Sequence, residues 1–352
     1  MSKRIICAIL SFALVLPAAA FTASAESFFP SVSAKAAVLI DADTGRVMFE
    51  KNAEIRLPMA STTKIMTAIV ALEHGDPDDT VTVTKGSVGV EGSSIYLEAE
   101  EKLSLRELLY ALLLASANDA ATAIALHISG SVEAFASLMN KKAELLGLKN
   151  THFKNPHGLD AEGHFTTAYD LAKITAAALK NKTFAEIVST YKYNISGKDG
   201  GRRYLVNHNK LLRGYEGCIG VKTGYTKADG RCLVSAASRG GMTLIAVTLS
   251  APDDWRDHKA MLDYGFLHYE SVKLCQQRES VISLPDVSKA GNEIECVAKT
   301  GIVLTLPRGG EITQVIECPR FFWDTPKKGE TVGRVIFYRN GKEIARTTLI
   351  VK

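Results

Sequence analysis

Apolar positions recur at two different periods along this chain, and the change of period divides it. Val38, Ile40, Val47 and Phe49 alternate with polar residues on either side of Asp43-Thr44-Gly45, which predicts an N-terminal β-hairpin. A helical stretch follows. Pro58 stands where a first turn tolerates it, Ile65, Ile69 and Leu72 recur at helical spacing, and Gly75 ends the segment. Ser104-Leu105-Arg106-Glu107 has the form of a capping box opening a helix over residues 108–114, and residues 120–128 predict another helix after a break. From Gly220 the period becomes two. Strands are expected over residues 220–225, 231–238 and 242–249, the last two joined by Gly240-Gly241, with a final helix over about residues 255–264. Strands at both ends and helices between them predict an α+β domain whose antiparallel sheet is joined from both ends of the segment and covered by helices. Beyond Ser271, short apolar alternations separated by Gly291-Asn292, Arg308-Gly309-Gly310, Lys328-Gly329 and Asn340-Gly341 predict a second, small all-β domain over residues 272–352. Leu284-Pro285-Asp286 is expected in or near the linker.

The first residues bear on compartment. Lys3 and Arg4 precede an apolar run over residues 5–21, and Ala23-Ser24-Ala25 supplies small residues before Glu26, which predicts a secretory signal over residues 1–25 and a larger domain over 26–271. An uncleaved anchor is the competing reading, disfavoured by Ser11, Pro17 and a run shorter than about 20 residues. No later segment is expected to span a bilayer, and the strand-like end at Leu349-Ile350-Val351-Lys352 predicts no amphipathic C-terminal helix. Membrane association stays open, and the expected location is secreted, in the extracytoplasmic envelope.

Composition changes this picture little. With 46% hydrophobic and 23% charged residues in 352, the chain can bury a sizeable core and is not of the disordered class. The net charge of +4 includes Lys3 and Arg4 in the segment read as a signal, and implies no nucleic-acid partner. Outside that segment stand Cys218, Cys232, Cys275, Cys296 and Cys318, an odd number without zinc spacing. Buried free thiols are expected, with a Cys296–Cys318 bridge as the alternative.

Candidate chemistry begins with Ser61-Thr62-Thr63-Lys64. On a helix this spacing puts a hydroxyl and an amine on one face, and lysine can act as a base once desolvation or a second cation lowers its pKa. About one such match arises by chance in a chain this long, and Ser189-Thr190-Tyr191-Lys192 is a second. Ser116-Ala117-Asn118 at the break between two helices and Lys222-Thr223-Gly224 on a strand single out Ser61. A second Lys-Thr-Gly, at residues 299–301, belongs to the β-rich tail.

In order and kind these three elements resemble those of the serine penicillin-recognising enzymes. Gly92-Ser93-Ser94, Asn155-Pro156-His157-Gly158-Leu159-Asp160, Glu162-Gly163-His164, Thr167-Ala168-Tyr169-Asp170 and Lys222-Thr223-Gly224-Tyr225-Thr226 extend the resemblance to the low-molecular-mass penicillin-binding proteins that are D-alanyl-D-alanine carboxypeptidases. It covers roughly residues 36–269, and the tail resembles that family's C-terminal domain more weakly. The resemblance implies a β-lactamase/transpeptidase-like fold and removal of the terminal D-alanine from peptidoglycan stem peptides, with β-lactams as covalent inhibitors and neither metal nor organic cofactor. It implies Ser61 as nucleophile, Lys64 as its base and Ser116 as proton relay. Asn118 would orient the substrate amide, Lys222 would supply positive potential, and Thr223 would bind the substrate carboxylate. The N–H groups of Ser61 and Tyr225 would form the oxyanion hole, with Gly224 admitting close approach.

The histidines His152, His157 and His164 are read as loop or packing residues, Asp170 as a helix-start cap, and Arg256 as either a source of positive field or part of a solvated helix face. Two departures stand out. His208 occupies the middle of Asn207-His208-Asn209, where some relatives carry an arginine facing the carboxylate. No Glu-x-x-x-Asn element stands in residues 155–170 to position a deacylating water, which separates the chain from a β-lactamase. A wall-binding protein of this fold without turnover is the rival from another class.

Overall fold

The computed structural model describes residues 29–352; the segment read as a signal lies outside them. In chain order the larger domain runs through β1 (Ala36–Asp41), β2 (Val47–Lys51) and α1 (Lys64–His74) to the short strands β3 (Thr80–Thr82) and β4 (Lys102–Ser104). Helices α2 (Leu105–Leu114), α3 (Asn118–Ser129), α4 (Val132–Leu145), α5 (Ala168–Leu179) and α6 (Lys182–Ser189) come next. The hairpin β5 (Lys192–Ser196) and β6 (Arg202–Val206) and the single turn α7 (Leu211–Gly214) lead into β7 (Cys218–Thr226), β8 (Gly230–Arg239), β9 (Met242–Leu249) and α8 (Asp254–His268).

The central sheet has the order β2-β1-β9-β8-β7 with every pairing antiparallel, so the first and last strands of the domain meet as the alternating pattern implies. Period-two alternation sends successive side chains to opposite faces, and in β1 and β9 both faces are covered. Val38, Ile40, Ile245 and Val247 pack in the main core with α1, α2, α3 and α5. Ala37, Leu39, Leu244 and Ala246 face the other way, against Met261 and Leu262 of α8. Gly240 and Gly241 turn β8 into β9 with φ of +55° and +78°, the left-handed pair that a two-residue hairpin needs. The Ser104–Glu107 capping box is present at the head of α2, an arrangement that contributes about 1 kcal/mol.

One local expectation is corrected. Pro58 lies ahead of α1 and not in its first turn, because Ala60 takes φ of +47°, a conformation no helix propagates. Residues Ala60–Thr63 form a 3₁₀ turn instead, and the α-helix begins at Lys64. Ser189 closes α6, so no helix starts at it, and its hydroxyl donates to the Glu186 carbonyl at 2.9 Å.

The β-rich tail comprises β10 (Tyr269–Cys275), β11 (Ser280–Asp286), β12 (Asn292–Ala298), β13 (Ile302–Pro307), β14 (Ile312–Glu317), β15 (Thr331–Arg339) and β16 (Lys342–Val351). Strand β10 follows α8 directly, so the break expected after residue 271 falls inside a strand. Leu284-Pro285-Asp286 likewise is no linker. It ends β11, the edge strand of the sheet β11-β12-β16-β15-β14, where a proline leaves no partner strand unmatched on its outer side. Thr305 of β13 donates its hydroxyl to Asp41 Oδ2 at 2.9 Å, which ties the tail to the N-terminal hairpin. The five cysteines among the described residues are free thiols, Cys296 and Cys318 included. No single helix among these residues is long and apolar enough to cross a membrane.

Candidate active site

The left-handed turn at Ala60 sets Ser61 at the mouth of a cleft, and the helix that starts three residues later brings Lys64 beneath it. Lys64 Nζ lies 2.9 Å from Ser61 Oγ, and it donates to Asn118 Oδ1 at 2.7 Å and to the His157 carbonyl at 2.6 Å. Its side chain is wholly buried. Burial first, and the charge of Lys222 second, hold its pKa well below the ordinary lysine value, with Asp119 acting weakly the other way.

Ser116, between α2 and α3, takes φ of +60°, a conformation uncommon for a residue with a side chain and costing on the order of 1 kcal/mol. This reversal turns the chain into α3 and leaves the Ser116 side chain on the cleft wall. Asn118, next in that segment, is almost fully buried: Oδ1 accepts from Lys64, and Nδ2 donates to the Glu91 carbonyl at 2.5 Å. Asp119 at the head of α3 pins the facing loop by accepting from Ser94 Oγ at 2.6 Å and from the Leu97 N–H at 3.0 Å.

On the other wall runs β7. Gly224 passes so close to the 3₁₀ turn that a Cβ there would lie 3.1 Å from Ser61 N, so a glycine is what permits the approach. Thr223 and Tyr225 line the cleft, while Lys222 points inward, 1% exposed, with Nζ donating to the Thr223 carbonyl at 2.8 Å. Burial lowers its pKa to about 7.

The cleft holds about 350 Å³ between these walls, with Ser93 of the Gly92-Ser93-Ser94 stretch on its lining, and brings in side chains that the sequence did not single out: Lys210, Arg231 and Trp255. Arg231 Nε donates to the buried Asp254 Oδ1 at 3.0 Å, and both Arg231 and Lys210 sit about one ring's width from Trp255, at 5.9 and 6.0 Å. Register gives Arg231 away in retrospect, since it pairs with Tyr225 across β7 and β8. Arg256, in contrast, is on the solvated face of α8 and pairs with Asp253 at 3.1 Å. His208 does line the cleft; Asn207 and Asn209 shape the turn that presents it, through Asn207 Oδ1 accepting from the Asn209 N–H at 2.9 Å. Burial and then Lys222 lower its pKa, so the neutral ring is favoured.

The loop over residues 155–164 contributes more than the packing expected of its histidines. The His157 carbonyl is a partner of Lys64, and the His164 ring bridges to Thr63 Oγ1 at 2.8 Å, which in turn donates to the Ala60 carbonyl at 2.8 Å. Lys154 N–H donates to His164 Nδ1 at 3.0 Å, so Nε2 carries the proton toward Thr63. Asp170 is not the cap of α5. Thr167 is, and Asp170 accepts from Thr151 Oγ1 at 2.8 Å. Lys299-Thr300-Gly301 sits between β12 and β13 and bonds to Thr347 and Thr348 of β16 in the β-rich tail.

A helix-covered antiparallel sheet with a Ser–Lys pair between a helix head and an edge strand is the architecture of the penicillin-binding serine hydrolases. The D-alanyl-D-alanine carboxypeptidase family matches residues 20–253, and the penicillin-binding protein 5 C-terminal domain matches residues 269–352. Over 331 residues the chain is 36% identical to D-alanyl-D-alanine carboxypeptidase DacF of Bacillus subtilis, covering 91% of this chain and 85% of the relative. It is 31% identical to DacA of Escherichia coli K12, with coverage of 92% and 83%. Among solved structures, penicillin binding protein 5 from Haemophilus influenzae matches with a TM-score of 0.75 at 30% identity, over 92% of this chain and 97% of that one. A mutant of Streptomyces K15 DD-transpeptidase matches with a TM-score of 0.64 at 36% identity, over 68% and 99%. The chain belongs to the D-alanyl-D-alanine carboxypeptidase family, and it is a serine carboxypeptidase with that family's C-terminal β domain.

Proposed function

We propose that this enzyme removes the terminal D-alanine from peptidoglycan stem pentapeptides through an acyl-enzyme on Ser61. The observation that carries the reading is the hydrogen bonding of Lys64. A neutral amine has two protons and one lone pair; the carbonyl oxygens of Asn118 and His157 take the two protons, and the lone pair is left facing the Ser61 hydroxyl. Lys64 therefore takes the Ser61 proton as Oγ attacks the carbonyl carbon of the penultimate D-alanine. The oxyanion that forms lies between the N–H groups of Ser61 and Tyr225, which the close approach of Gly224 brings together. As the C–N bond breaks, Ser116 passes the proton to the leaving D-alanine nitrogen, and water then hydrolyses the ester and restores Ser61.

Thr223 receives the substrate carboxylate at the β7 wall, with Lys222 behind it, and Lys210 adds positive charge to the same cleft, where Arg231 is paired with Asp254. Asn118 holds Lys64 and keeps one amide proton for the substrate. A β-lactam carbonyl enters the same way and leaves Ser61 acylated. Peptides ending in D-Ala-D-Ala belong to the cell wall, which agrees with a signal over residues 1–25 and an extracytoplasmic location. Within this reading the catalytic domain ends with α8 and the β domain begins at Tyr269.

The test is product analysis. Incubated with a stem pentapeptide, the full enzyme is expected to yield the tetrapeptide and one equivalent of free D-alanine. An enzyme that binds penicillin but releases no D-alanine from that peptide would contradict the carboxypeptidase reading.

A further inference from the structure

The residue before Ser61 is constrained from several sides. Ala60 is 1% exposed and held at φ of +47°, and the acceptor for its N–H is a side chain. A buried N–H needs a partner. Asp229, from the loop between β7 and β8, supplies it: Oδ2 accepts from the Ala60 N–H at 3.1 Å, with the Asp229 side chain nearly buried. The other bonds of Asp229 lead to the remaining parts of the site. Its own N–H donates to Thr226 Oγ1 at 3.0 Å, and Thr226, the last residue of β7, donates to Asp160 Oδ1 at 3.2 Å. Asp160 closes the Asn155-Pro156-His157-Gly158 loop whose carbonyl holds Lys64.

We infer that Asp229 is a positioning residue for the nucleophile, fixing the left-handed turn at Ala60 so that the Ser61 N–H stays directed at the oxyanion position beside Tyr225. This inference rests on the acyl-enzyme reading above and adds to it a residue that touches neither substrate nor reacting atoms. Packing supports the role from the opposite side. A Cβ on Gly158 would lie 2.0 Å from the Ala60 carbonyl oxygen, so the Ala60 peptide is clamped between the Gly158 backbone and the Asp229 carboxylate. Thr63 Oγ1 holds that same carbonyl. Without the carboxylate, the relaxation open to the turn is rotation of Ala60 toward negative φ, which swings the Ser61 N–H out of the oxyanion site. Burial and the neighbouring charge of Asp160 raise the Asp229 pKa to about 6, so an ionised carboxylate at this place is itself disfavoured, and the hydrogen bond to Ala60 is a compensating contact.

The hydrogen bond, not the charge, is what the geometry uses. Asp229→Asn keeps an acceptor oxygen and is expected to acylate with penicillin within about threefold of wild type. Asp229→Ala is expected to lower the saturating acylation rate constant by about 10- to 100-fold, the size of effect that a misplaced reacting group produces. The dissociation constant of the non-covalent complex should stay within about threefold, because Asp229 does not line the cleft. Asp229→Ser, whose shorter side chain stops short of Ala60, replaces the alanine variant if that one fails to fold by thermal melting. The readout is stopped-flow acylation over a range of penicillin concentrations, on the full chain. An alanine or serine variant that acylates as fast as wild type, or an asparagine variant as slow as the alanine one, overturns the inference. If wild type itself forms no adduct on Ser61, it is the acyl-enzyme reading that fails.

Discussion

Ser61→Ala is expected to abolish covalent labelling by penicillin and to lower D-alanine release by at least about 10⁴-fold, as loss of a nucleophile does in other serine hydrolases, whereas Ser189→Ala is expected to leave both at the wild-type level. The contrast follows from surroundings, since both serines stand three residues before a lysine. Ser61 Oγ has a buried amine at 2.9 Å and an edge strand opposite. Ser189 is exposed at the last turn of α6, its hydroxyl bonded to its own helix, and Lys192 has already entered β5. Labelling by a fluorescent penicillin, read on a gel beside a D-alanine assay, checks both variants. Labelling of a folded Ser61→Ala protein would move the nucleophile elsewhere.

Lys64→Arg keeps the charge type and loses the function, with an acylation rate lower by about 10²- to 10⁴-fold, the range that general-base catalysis supplies. Arginine stays protonated at any working pH, so it offers no lone pair to Ser61. The wild-type pH profile follows from the same argument. On the proposed mechanism only neutral Lys64 accepts the proton, so acylation is expected to be fast above the Lys64 pKa and to fall as pH drops through it. Because burial and Lys222 depress that pKa, the falling limb lies well below the ordinary lysine range. Lys222→Ala removes a cation that disfavours charge on Lys64. The Lys64 pKa then rises, and the limb moves to higher pH. Acylation rates of wild type, Lys64→Arg and Lys222→Ala across pH 5 to 10, roughly from mid-carboxylate to ordinary lysine titration, check these directions. A folded Lys64→Arg enzyme acylating near the wild-type rate would remove Lys64 from the base role.

The central sheet was legible in the sequence because its strands carry alternation that only a two-sided sheet uses, and Gly240-Gly241 and Asn340-Gly341 mark their own turns. The Ser61, Ser116 and Lys222 elements were legible as a set, since each alone has a decoy or a bland reading. What stayed hidden came from contacts between residues far apart in sequence. Nothing local marks Asp229 as the partner of Ala60, 169 positions earlier, or shows that the His157 carbonyl, and not its ring, meets Lys64. Ala60 itself gave no signal, because a left-handed alanine is imposed by tertiary contacts against its own preference. The start of β10 was hidden for a related reason: it follows α8 at once, a few residues before the break expected after residue 271, and its partner β13 lies some 30 residues further on. The proline of Leu284-Pro285-Asp286 suggests a linker only until the strand is seen to be an edge.

The most direct test of the account is rapid-quench mass spectrometry of the enzyme turning over a stem pentapeptide. The account predicts a transient mass increase equal to the peptide minus its terminal D-alanine, mapped by proteolysis to the peptide containing Ser61, forming as free D-alanine appears and decaying as the tetrapeptide is released. Turnover with no covalent species at any quench time, or an adduct on any residue other than Ser61, would contradict it.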